Sequence, residues 1–433
     1  MEDCFTALID WRLRMTGLRK YEKPPQPSNR PSPGLLLKRA HQSQVVSSSV
    51  RLLLLASSFL GYAIVSLALI AVALELMCWP IWYVLPAQRQ QGQRASPVYA
   101  GADWASEFWK EETLRQQTHK EYIPFRLWGV TKWNSKYINN DPGAGGVWRR
   151  TVNPANCDAP HRVIVWIFGG STTYGTAVPD WATIPSYLSG DLNAASGNCV
   201  VVSNFGVEGY VTDQELILLV EQLKAGGHPH IVVFYDGVND SALAWPPSGS
   251  PMAHPSFGTI KSRVEGTLSG RLDFLRQSYA VRVAHEVLAH LHQVASFSPL
   301  VSKAQPNVFA VVNNYEANLK IARALGDAYH FKLYCFWQPM LTYGKKPLVP
   351  FEQRMATADA DGASVESAWL LTMASVYREE ERRAAQSGEV VFLGTLFDSI
   401  REPIYVDEAH LGPMGNKLAA QAIASYIRDH PEK

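Results

Sequence analysis

Short β-rich runs alternate with helical patterns from about His161 to the end of the chain, and this alternation restricts the folds that the sequence can adopt. Parallel strands need long crossover connections, which are usually helices, so the alternation predicts βαβ units. The β-rich runs cover residues 163–168, 200–202, 231–235, 331–336 and 390–393. The helical patterns cover residues 183–192, 213–224, 308–325, 365–385 and 413–427. We therefore predict an α/β fold, a three-layer α/β/α sandwich with about five parallel strands.

The composition is that of a globular chain with a large core. Hydrophobic residues make up 47% of the 433 residues and charged residues 18%, which argues against wholesale disorder. The formal net charge is +1, and the lysines and arginines are spread along the chain. Because nucleic-acid binding depends on clustered positive charge, we predict no nucleic-acid partner.

One stretch without charged residues, 52–74, is long enough to cross a membrane. At about 1.5 Å per residue, a helix of this length spans about 35 Å, and the hydrocarbon core of a bilayer is about 30 Å thick. The alternatives are a buried core helix, which is rarely apolar on all sides, and a cleaved signal peptide, whose apolar region is shorter. We predict one transmembrane helix at residues 52–76, ahead of the sandwich.

The flanks of this stretch predict its orientation. Nine lysines and arginines precede it, and the positive-inside rule keeps such a flank in the cytoplasm. Trp79, Trp82 and Tyr83 follow it, where an aromatic belt is expected. We predict a single-pass membrane protein whose Pro-rich residues 1–51 form a disordered cytoplasmic tail and whose main domain is extracytoplasmic, that is, periplasmic or extracellular.

The rest of the chain divides into a connecting segment and a main domain. Residues 77–155 are predicted to form a juxtamembrane linker, polar at 88–94, followed by a Trp-rich segment that packs on the main domain. Residues 156–433 form that domain. Residues 241–302 do not fit its strand–helix alternation, and their Pro-rich start followed by a helical pattern suggests a cap-like insertion.

Four short segments in a fixed order carry polar residues that could form one site. They are Gly-Gly-Ser-Thr-Thr at 169–173, Asn-Phe-Gly at 204–206, Gly-Val-Asn-Asp at 237–240 and Asp-Glu-Ala-His at 407–410. The first three follow or end the first three predicted strands. Because ligands in open parallel sheets bind beyond the carboxyl ends of the strands, we expect these segments to meet at one edge.

These segments contain the groups needed for acyl chemistry. Ser171 could act as a nucleophile, with the Ser171 and Gly206 backbone N–H groups and the Asn239 side chain as oxyanion donors. A serine hydroxyl needs a base, and His410 is best placed among twelve histidines because Asp407 could orient it. An isolated Asp-x-x-His is more often a polar turn, but its place after the other segments favours a catalytic role.

In these segments the chain resembles the SGNH hydrolases, also called the GDSL esterase/lipase superfamily, over about residues 161–427. The resemblance places Ser171 in block I, Gly206 in block II, Asn239 in block III, and Asp407 with His410 in block V. It implies a flavodoxin-like sandwich and ester chemistry that uses no metal and no organic cofactor. The chain departs from the family in block I, where a glycine replaces the aspartate that often braces the nucleophile loop.

Three further residues are candidates for the substrate cleft. Tyr174 and Asp240 could take over the bracing role of the missing aspartate. Gln338 ends the fourth predicted strand and could line the cleft, although a strand-ending turn explains it equally well.

Two of the five cysteines could form a disulfide bond. Cys157 and Cys199 each precede one of the first two predicted strands, which should run side by side. In an oxidising compartment a bridge between them would contribute about 4 kcal/mol in the chain-entropy model. Two unpaired thiols are an equal alternative, because connectivity cannot be derived from spacing.

Together these observations predict a membrane-anchored serine esterase that removes acetyl or short acyl groups from an extracytoplasmic glycan or lipid. One alternative is an O-acyltransferase that uses the same triad on an exported polysaccharide. Another is a catalytically silent carbohydrate-binding assembly component, in which tryptophans provide stacking platforms. Those tryptophans are Trp104, Trp109, Trp128, Trp133 and Trp148.

Overall fold

A computed structural model describes most of the chain. The described residues are 33–118, 120–155, 162–195, 199–245, 254, 257–268, 275, 278–294, 306–358 and 365–431. The chain divides into two units, Met1–Ala73 and Leu74–Lys433. The described part of the first unit is helical, and the sheet, its covering helices and the candidate site all belong to the second.

The longest element, α1 (Pro33–Arg94), contains the apolar stretch. Its window Leu55–Trp82 is long and apolar enough to cross a membrane, and none of the residues in this window is buried. A core helix would bury at least one face, so this exposure favours a membrane span.

Helix α1 is longer than predicted at both ends. Residues 33–51 are helical, although we expected them to be a disordered tail, and the expected linker at 88–94 is also helical. Residues 1–32 lie outside the described residues. The physical reason is that adding a residue to an existing helix gains a hydrogen bond without the cost of a new nucleus, so the apolar helix extends into its flanks.

Within the described ranges, eight strands form one sheet in the order β1-β2-β3-β5-β4-β6-β7-β8. The five strands from β5 to β8 run parallel, which confirms the predicted fold class. Their order is flavodoxin-like, because the chain starts in the interior of the sheet and reverses direction between β4 and β6. The strands are β1 (Trp133–Asn134), β2 (Asn139–Gly143), β3 (Gly146–Arg149), β4 (Val163–Gly169), β5 (Val200–Gly206), β6 (Ile231–Asp236), β7 (Lys332–Trp337) and β8 (Val391–Phe392).

Helices cover both faces of the parallel strands. The helices after α1 are α2 (Ala105–Gln116), α3 (Ser171–Tyr174), α4 (Ile184–Ala195), α5 (Thr212–Lys224), α6 (Val238–Ala242), α7 (Phe257–Val264), α8 (Tyr279–Val294), α9 (Val308–Tyr329), α10 (Pro350–Ala358), α11 (Val365–Ser387) and α12 (Pro413–Asp429). One face of the sheet packs against α4 and α12, and the other packs against α5, α9 and α11.

The two cores follow from the alternation of side chains along each strand. In β4, Val165 and Ile167 point to the core with α4 and α12, whereas Trp166 and Phe168 point to the opposite core. Both faces are therefore dry, which is why the strands are continuous apolar runs instead of alternating polar and apolar residues. The sheet is a rigid platform for the loops at its carboxyl edge.

The antiparallel strands β1, β2 and β3 were not predicted. They come from the Trp-rich segment and extend the sheet through a pairing of Arg149 with Asn204 of β5. Arg149 is buried and its Nε lies 2.7 Å from Asp180 Oδ1. The segment also has its own aromatic cluster, which includes Phe108 and Trp109. Sequences such as Asn-Asn-Asp-Pro-Gly have low strand propensity, so pairing with the edge strand decides their conformation.

The insertion and the cysteines are described only in part. Within 241–302, the structure describes helices α7 and α8 and a few residues beside them. Cys199 is disulfide-bonded. Its predicted partner Cys157 lies outside the described residues, so the pairing stays a prediction. Cys78 and Cys335 are free.

Candidate active site

Ser171 lies at the carboxyl edge of the sheet, where β4 ends and α3 begins. A glycine is required just before it, because a Cβ on Gly170 would collide with the Asn239 side-chain nitrogen. The missing side chain thus lets the segment after β6 approach the segment after β4. The site lies beside the reversal of strand order, which is the usual ligand position in this topology.

Ser171, His410 and Asp407 form a continuous hydrogen-bonded chain. Ser171 Oγ lies 2.8 Å from His410 Nε2, and His410 Nδ1 lies 2.7 Å from Asp407 Oδ2. The backbone N–H groups of Ala409 and His410 donate to Asp407 Oδ1 at 3.0 and 2.7 Å. These bonds close the Asp-x-x-His turn and fix the position of the imidazole. With a proton on Nδ1, Nε2 is free to accept the serine proton.

Asp407 has a further hydrogen-bond donor, Gln93, which sequence reasoning missed. Gln93 Nε2 donates to Asp407 Oδ2 at 2.7 Å, from the last turn of α1. Asp407 Oδ2 therefore accepts hydrogen bonds from both Gln93 and His410. No local pattern could have indicated this contact, because the two residues are 314 positions apart.

The charges in the triad shift the titration of His410. Burial disfavours the imidazolium, but the Asp407 carboxylate outweighs burial and raises the pKa of His410 to about 9. Burial also opposes ionisation of Asp407, but His410 and the two backbone N–H groups outweigh it and hold the pKa of Asp407 well below its usual range. Asp407 therefore carries its negative charge throughout the physiological pH range.

Asn239 is oriented to donate a hydrogen bond into the cleft. It lies in α6, directly after β6, and its Nδ2 donates one hydrogen to the Tyr210 carbonyl at 2.7 Å. The second Nδ2 hydrogen remains for an oxyanion. The Ser171 N–H is also suitable, because the first residue of a helix has no intrahelical acceptor for its amide.

We expected Gly206 to line the cleft, but it does not. Its N–H donates to Asn204 Oδ1 at 2.9 Å, and a Cβ at this position would collide with the Tyr174 backbone. Gly206 therefore allows close packing under the nucleophile turn. Gly209, which follows β5 and has a φ of +80°, does line the cleft. Within the described part of the chain, no hydrogen bond uses the Gly209 N–H.

Two side chains, Gln338 and Asn204, brace the turn that carries Ser171. Thr172 Oγ1 donates to Gln338 Oε1 at 3.0 Å, and Asn204 Nδ2 donates to the Thr173 carbonyl at 3.0 Å. Gln338 is buried. It therefore lies behind the nucleophile and does not line the cleft as expected.

The other two cleft candidates are also buried behind the site. The Tyr174 hydroxyl donates to Asn140 Oδ1 at 3.0 Å, so it links α3 to strand β2. Asp240 Oδ1 accepts hydrogen bonds from the Thr212 backbone and hydroxyl. Neither residue lines the cleft. Asp240 directly follows the cleft residue Asn239, and Tyr174 lies three positions after Ser171, but the short helices direct both side chains inward.

A glutamate beside Gly209 ties the Trp-rich segment to the cleft. Glu208 Oε1 and Oε2 lie 2.8 and 3.2 Å from Arg115 of α2, and Thr176 Oγ1 donates to Oε1 at 2.9 Å. Burial opposes the charge of Glu208, but Arg115 outweighs it and lowers the pKa of Glu208 to about 2. Arg115 also pairs with Glu112 at 2.7 Å. This network holds the loop that carries Gly209.

The cleft has a volume of about 490 Å³. Ser171 and His410 lie in its wall, beside Trp128, whose Nε1 donates to the Glu208 carbonyl at 3.0 Å. Most of the other side chains in the wall are polar. They are Gln93, Arg115, Gln116, Thr118, Lys120, Thr131, Thr176, Glu208 and Asn239. Several of these residues come from the segment before β1. No sequence pattern indicated that this segment lines the cleft.

Comparisons with known proteins find similar solved structures only. No family model matches the chain, and no curated protein matches it. Similar solved structures include a lipolytic protein of the G-D-S-L family from Veillonella parvula, with 13% identity, a TM-score of 0.33, and coverage of 61% of this chain and 99% of the other.

Two further similar structures have the same level of likeness. An acetylxylan esterase from Geobacillus stearothermophilus has 13% identity and a TM-score of 0.33, covering 64% and 97% of the two chains. A lipase/acylhydrolase from Enterococcus faecalis has 14% identity and a TM-score of 0.32, covering 62% and 96%. At this level of similarity, the functional proposals below rest on the geometry of this chain's own residues.

Proposed function

We propose that this protein is a serine esterase that acts on acetyl or short acyl esters. The observation that carries the proposal is the hydrogen-bonded chain from Ser171 through His410 to Asp407, with both distances below 3 Å. A binding protein has no use for a base held against a serine hydroxyl and oriented by a charged carboxylate. This geometry counts against the silent carbohydrate-binding alternative.

In the proposed reaction, Ser171 Oγ attacks the ester carbonyl carbon while its proton moves to His410 Nε2. The carbonyl oxygen becomes an oxyanion, which the Ser171 and Gly209 N–H groups and the Asn239 amide stabilise. The C–O bond to the leaving alcohol breaks, and His410 protonates that oxygen. A water then attacks the acyl-serine, giving its proton to His410, and the acid leaves as the proton returns to Ser171. We assign Gly209 here in place of Gly206.

The cleft supports a hydroxylated substrate. Its wall has polar side chains from α1, α2 and the segment before β1, together with the Trp128 ring, on which a sugar could stack. Few apolar side chains line the cleft near Ser171, and they include Val207 and Val130. We therefore favour a glycan that carries acetyl or other short acyl groups over a lipid with long chains.

We further propose that α1 anchors the protein with its N-terminus in the cytoplasm, so that the cleft faces an extracytoplasmic space. The nine basic residues before the apolar stretch support this orientation. The disulfide at Cys199 is also consistent with an oxidising compartment. In this setting the substrate is a cell-surface or exported glycan.

An O-acyltransferase remains the second candidate, because the same residues would form the acyl-serine. The reaction differs only in whether water or a sugar hydroxyl attacks the acyl-serine. The observation that favours transfer is the polar wall contributed by Gln93, Gln116 and Thr131, which could bind an acceptor sugar beside Ser171.

The proposed function is tested by covalent labelling of the full chain in detergent with a fluorophosphonate probe. We expect the probe to label Ser171, because the nucleophilicity of its hydroxyl depends on His410. Peptide mass spectrometry identifies the labelled residue. Absence of label in the folded protein, or label only elsewhere, would overturn the proposal. Hydrolysis and transfer are then separated by product analysis with p-nitrophenyl acetate, in the presence and absence of a xylo-oligosaccharide acceptor.

The pKa of His410 predicts the pH dependence of the reaction. His410 is a base only when it is neutral, and its pKa is raised to about 9. The kcat/KM of an acetyl ester should therefore rise with pH, by more than about tenfold between pH 7 and pH 9, instead of levelling off just above the ordinary histidine value of about 6.5. Corrected for spontaneous hydrolysis, a profile that is flat above pH 7 would contradict this prediction.

Gln93 is expected to be a positioning residue for Asp407. Gln93→Ala should lower kcat by about tenfold or more, because a hydrogen bond to a charged group contributes about 1.5–3 kcal/mol. It should also move the ascending limb of the pH profile to higher pH, because Asp407 would interact more strongly with the imidazolium of His410. The KM for p-nitrophenyl acetate should change little.

A matched control for Gln93 is Gln353→Ala, which removes an exposed glutamine that donates to the Leu348 carbonyl at 2.8 Å, away from the cleft. This variant should keep the kcat and pH profile of the parent. If Gln93→Ala had an unchanged kcat and an unchanged pH profile, Gln93 would have no positioning role.

A further inference from the structure

Glu75 is the only charged residue between Leu55 and Trp82 in the apolar part of α1. The backbone N–H of Tyr279, the first residue of α8, donates to Glu75 Oε2 at 2.8 Å. A carboxylate at a helix N-terminus is stabilised by unpaired amides and by the helix dipole. Glu75 thus binds the start of α8 to the apolar part of α1.

A second contact lies one helical turn further along α8. The Arg282 guanidinium carbon lies 5.4 Å from the centroid of the Trp82 ring and 5.8 Å from that of Tyr279. Trp82 is the last residue of the apolar window. Tryptophan, tyrosine and arginine together at the end of a membrane span are typical of the headgroup region of a bilayer. The first turn of α8 is therefore next to the part of α1 that would lie at the membrane surface.

Helix α8 has an apolar face that no other described residue covers. Val281, Ala284, Val287 and Leu288 are exposed, the last two by 52% and 55% of their surface. Their spacing of three and four residues places them on one side of the helix. Other exposed apolar side chains occur at the end of α7 and just after it, where Val264 is 82% and Leu268 73% exposed.

We propose that α8 is a membrane-surface helix, whose face with Val281, Val287 and Leu288 enters the boundary between the headgroups and acyl chains of the bilayer that α1 spans. Lipid is the occupant because α8 begins against Glu75 and Trp82, near the end of an apolar window in which none of the described residues is buried. Arg282 is then placed to interact with lipid phosphates.

This inference does not depend on ester chemistry. It gives the insertion at 241–302 a role that differs from a cap over the cleft, since α8 would hold the domain in a fixed orientation on the membrane. Burial of an apolar helix face at an interface, together with a transmembrane helix, restricts rotation of the domain about the anchor.

The test measures depth in the membrane with a fluorophore on the full chain in phosphatidylcholine–phosphatidylglycerol vesicles. Val287→Cys, in a chain with Cys78→Ser and Cys4→Ser, is labelled with the environment-sensitive dye NBD, and Gln421→Cys on α12 is the matched exposed control. We expect a blue-shifted emission at position 287 and at least about twofold stronger quenching by spin-labelled phosphatidylcholine than at position 421.

A second position and a folding measurement keep this test decisive. Leu288→Cys should behave as Val287→Cys does, and each labelled protein should have the thermal unfolding midpoint of its unlabelled parent. Equal quenching at 287 and 421 in folded proteins would overturn the proposal. A second copy of the chain would be the occupant if the emission at position 287 were blue-shifted without lipid quenching and this blue shift weakened on dilution into excess vesicles. That result would also overturn the proposal.

Discussion

Replacing Ser171 with alanine is expected to lower the kcat for p-nitrophenyl acetate by about 10⁶-fold, to the level of residual activity from binding and the oxyanion donors. The reason is that Ser171 Oγ forms the covalent bond in the proposed reaction, and no other hydroxyl is within 3 Å of His410 Nε2 among the described contacts. His410→Ala should have a similar effect, because nucleophile and base act as one unit and their losses do not add.

The control for this prediction is Ser425→Ala, which removes a serine that donates to Asp429 on the surface of α12. It should leave turnover unchanged. The turnover of both variants is measured in stopped and continuous assays. Circular dichroism of the same proteins then distinguishes loss of catalysis from loss of the fold. A Ser171→Ala protein that keeps more than about 1% of the parent kcat would show that Ser171 is not the nucleophile.

The second large effect is expected for Asp407→Asn, which should lower kcat by about 10⁴-fold. The amide is nearly the same shape as the carboxylate, but it no longer fixes the proton on His410 Nδ1 and no longer stabilises the imidazolium. Asp407 Oδ2 lies 2.7 Å from that nitrogen, and its charge is the main cause that raises the pKa of His410 against burial.

The pH profile gives Asp407→Asn a signature of its own. Without the carboxylate, burial is left to act on His410, so its pKa should fall and the remaining activity should rise at lower pH than in the parent. Asp429→Asn on the surface of α12 is the matched control and should keep the parent profile. An ascending limb that does not move in Asp407→Asn would mean that another group controls the titration.

The main domain could be predicted from sequence because its signals are local. Each of the five parallel strands is an apolar run that must be covered on both faces, and the helices between them begin within about two residues of the predicted positions. The order of Ser171, Asn239, Asp407 and His410 along the chain then places them near one edge, since parallel strands end on the same side.

The support of the site could not be predicted, because it depends on contacts between residues far apart in sequence. Gln93 and Asp407 are 314 residues apart, and Arg115 and Glu208 are 93 apart. The sequence pointed to Gly206 as a donor, and only the backbone path after β5 reveals that Gly206 packs under Tyr174 and that Gly209 faces the cleft.

The sequence by itself determined the fold class, the apolar stretch that is long enough to cross a membrane and the residue types at the candidate site, because these follow from hydrophobic periodicity, length and residue chemistry. Only the tertiary structure decided that α1 ends at the triad, that the Trp-rich segment completes the sheet and the cleft wall, and that α8 begins against Glu75. These arrangements depend on which surfaces of separate elements meet, and hydrogen bonds and packing between distant residues have no local pattern from which they can be derived.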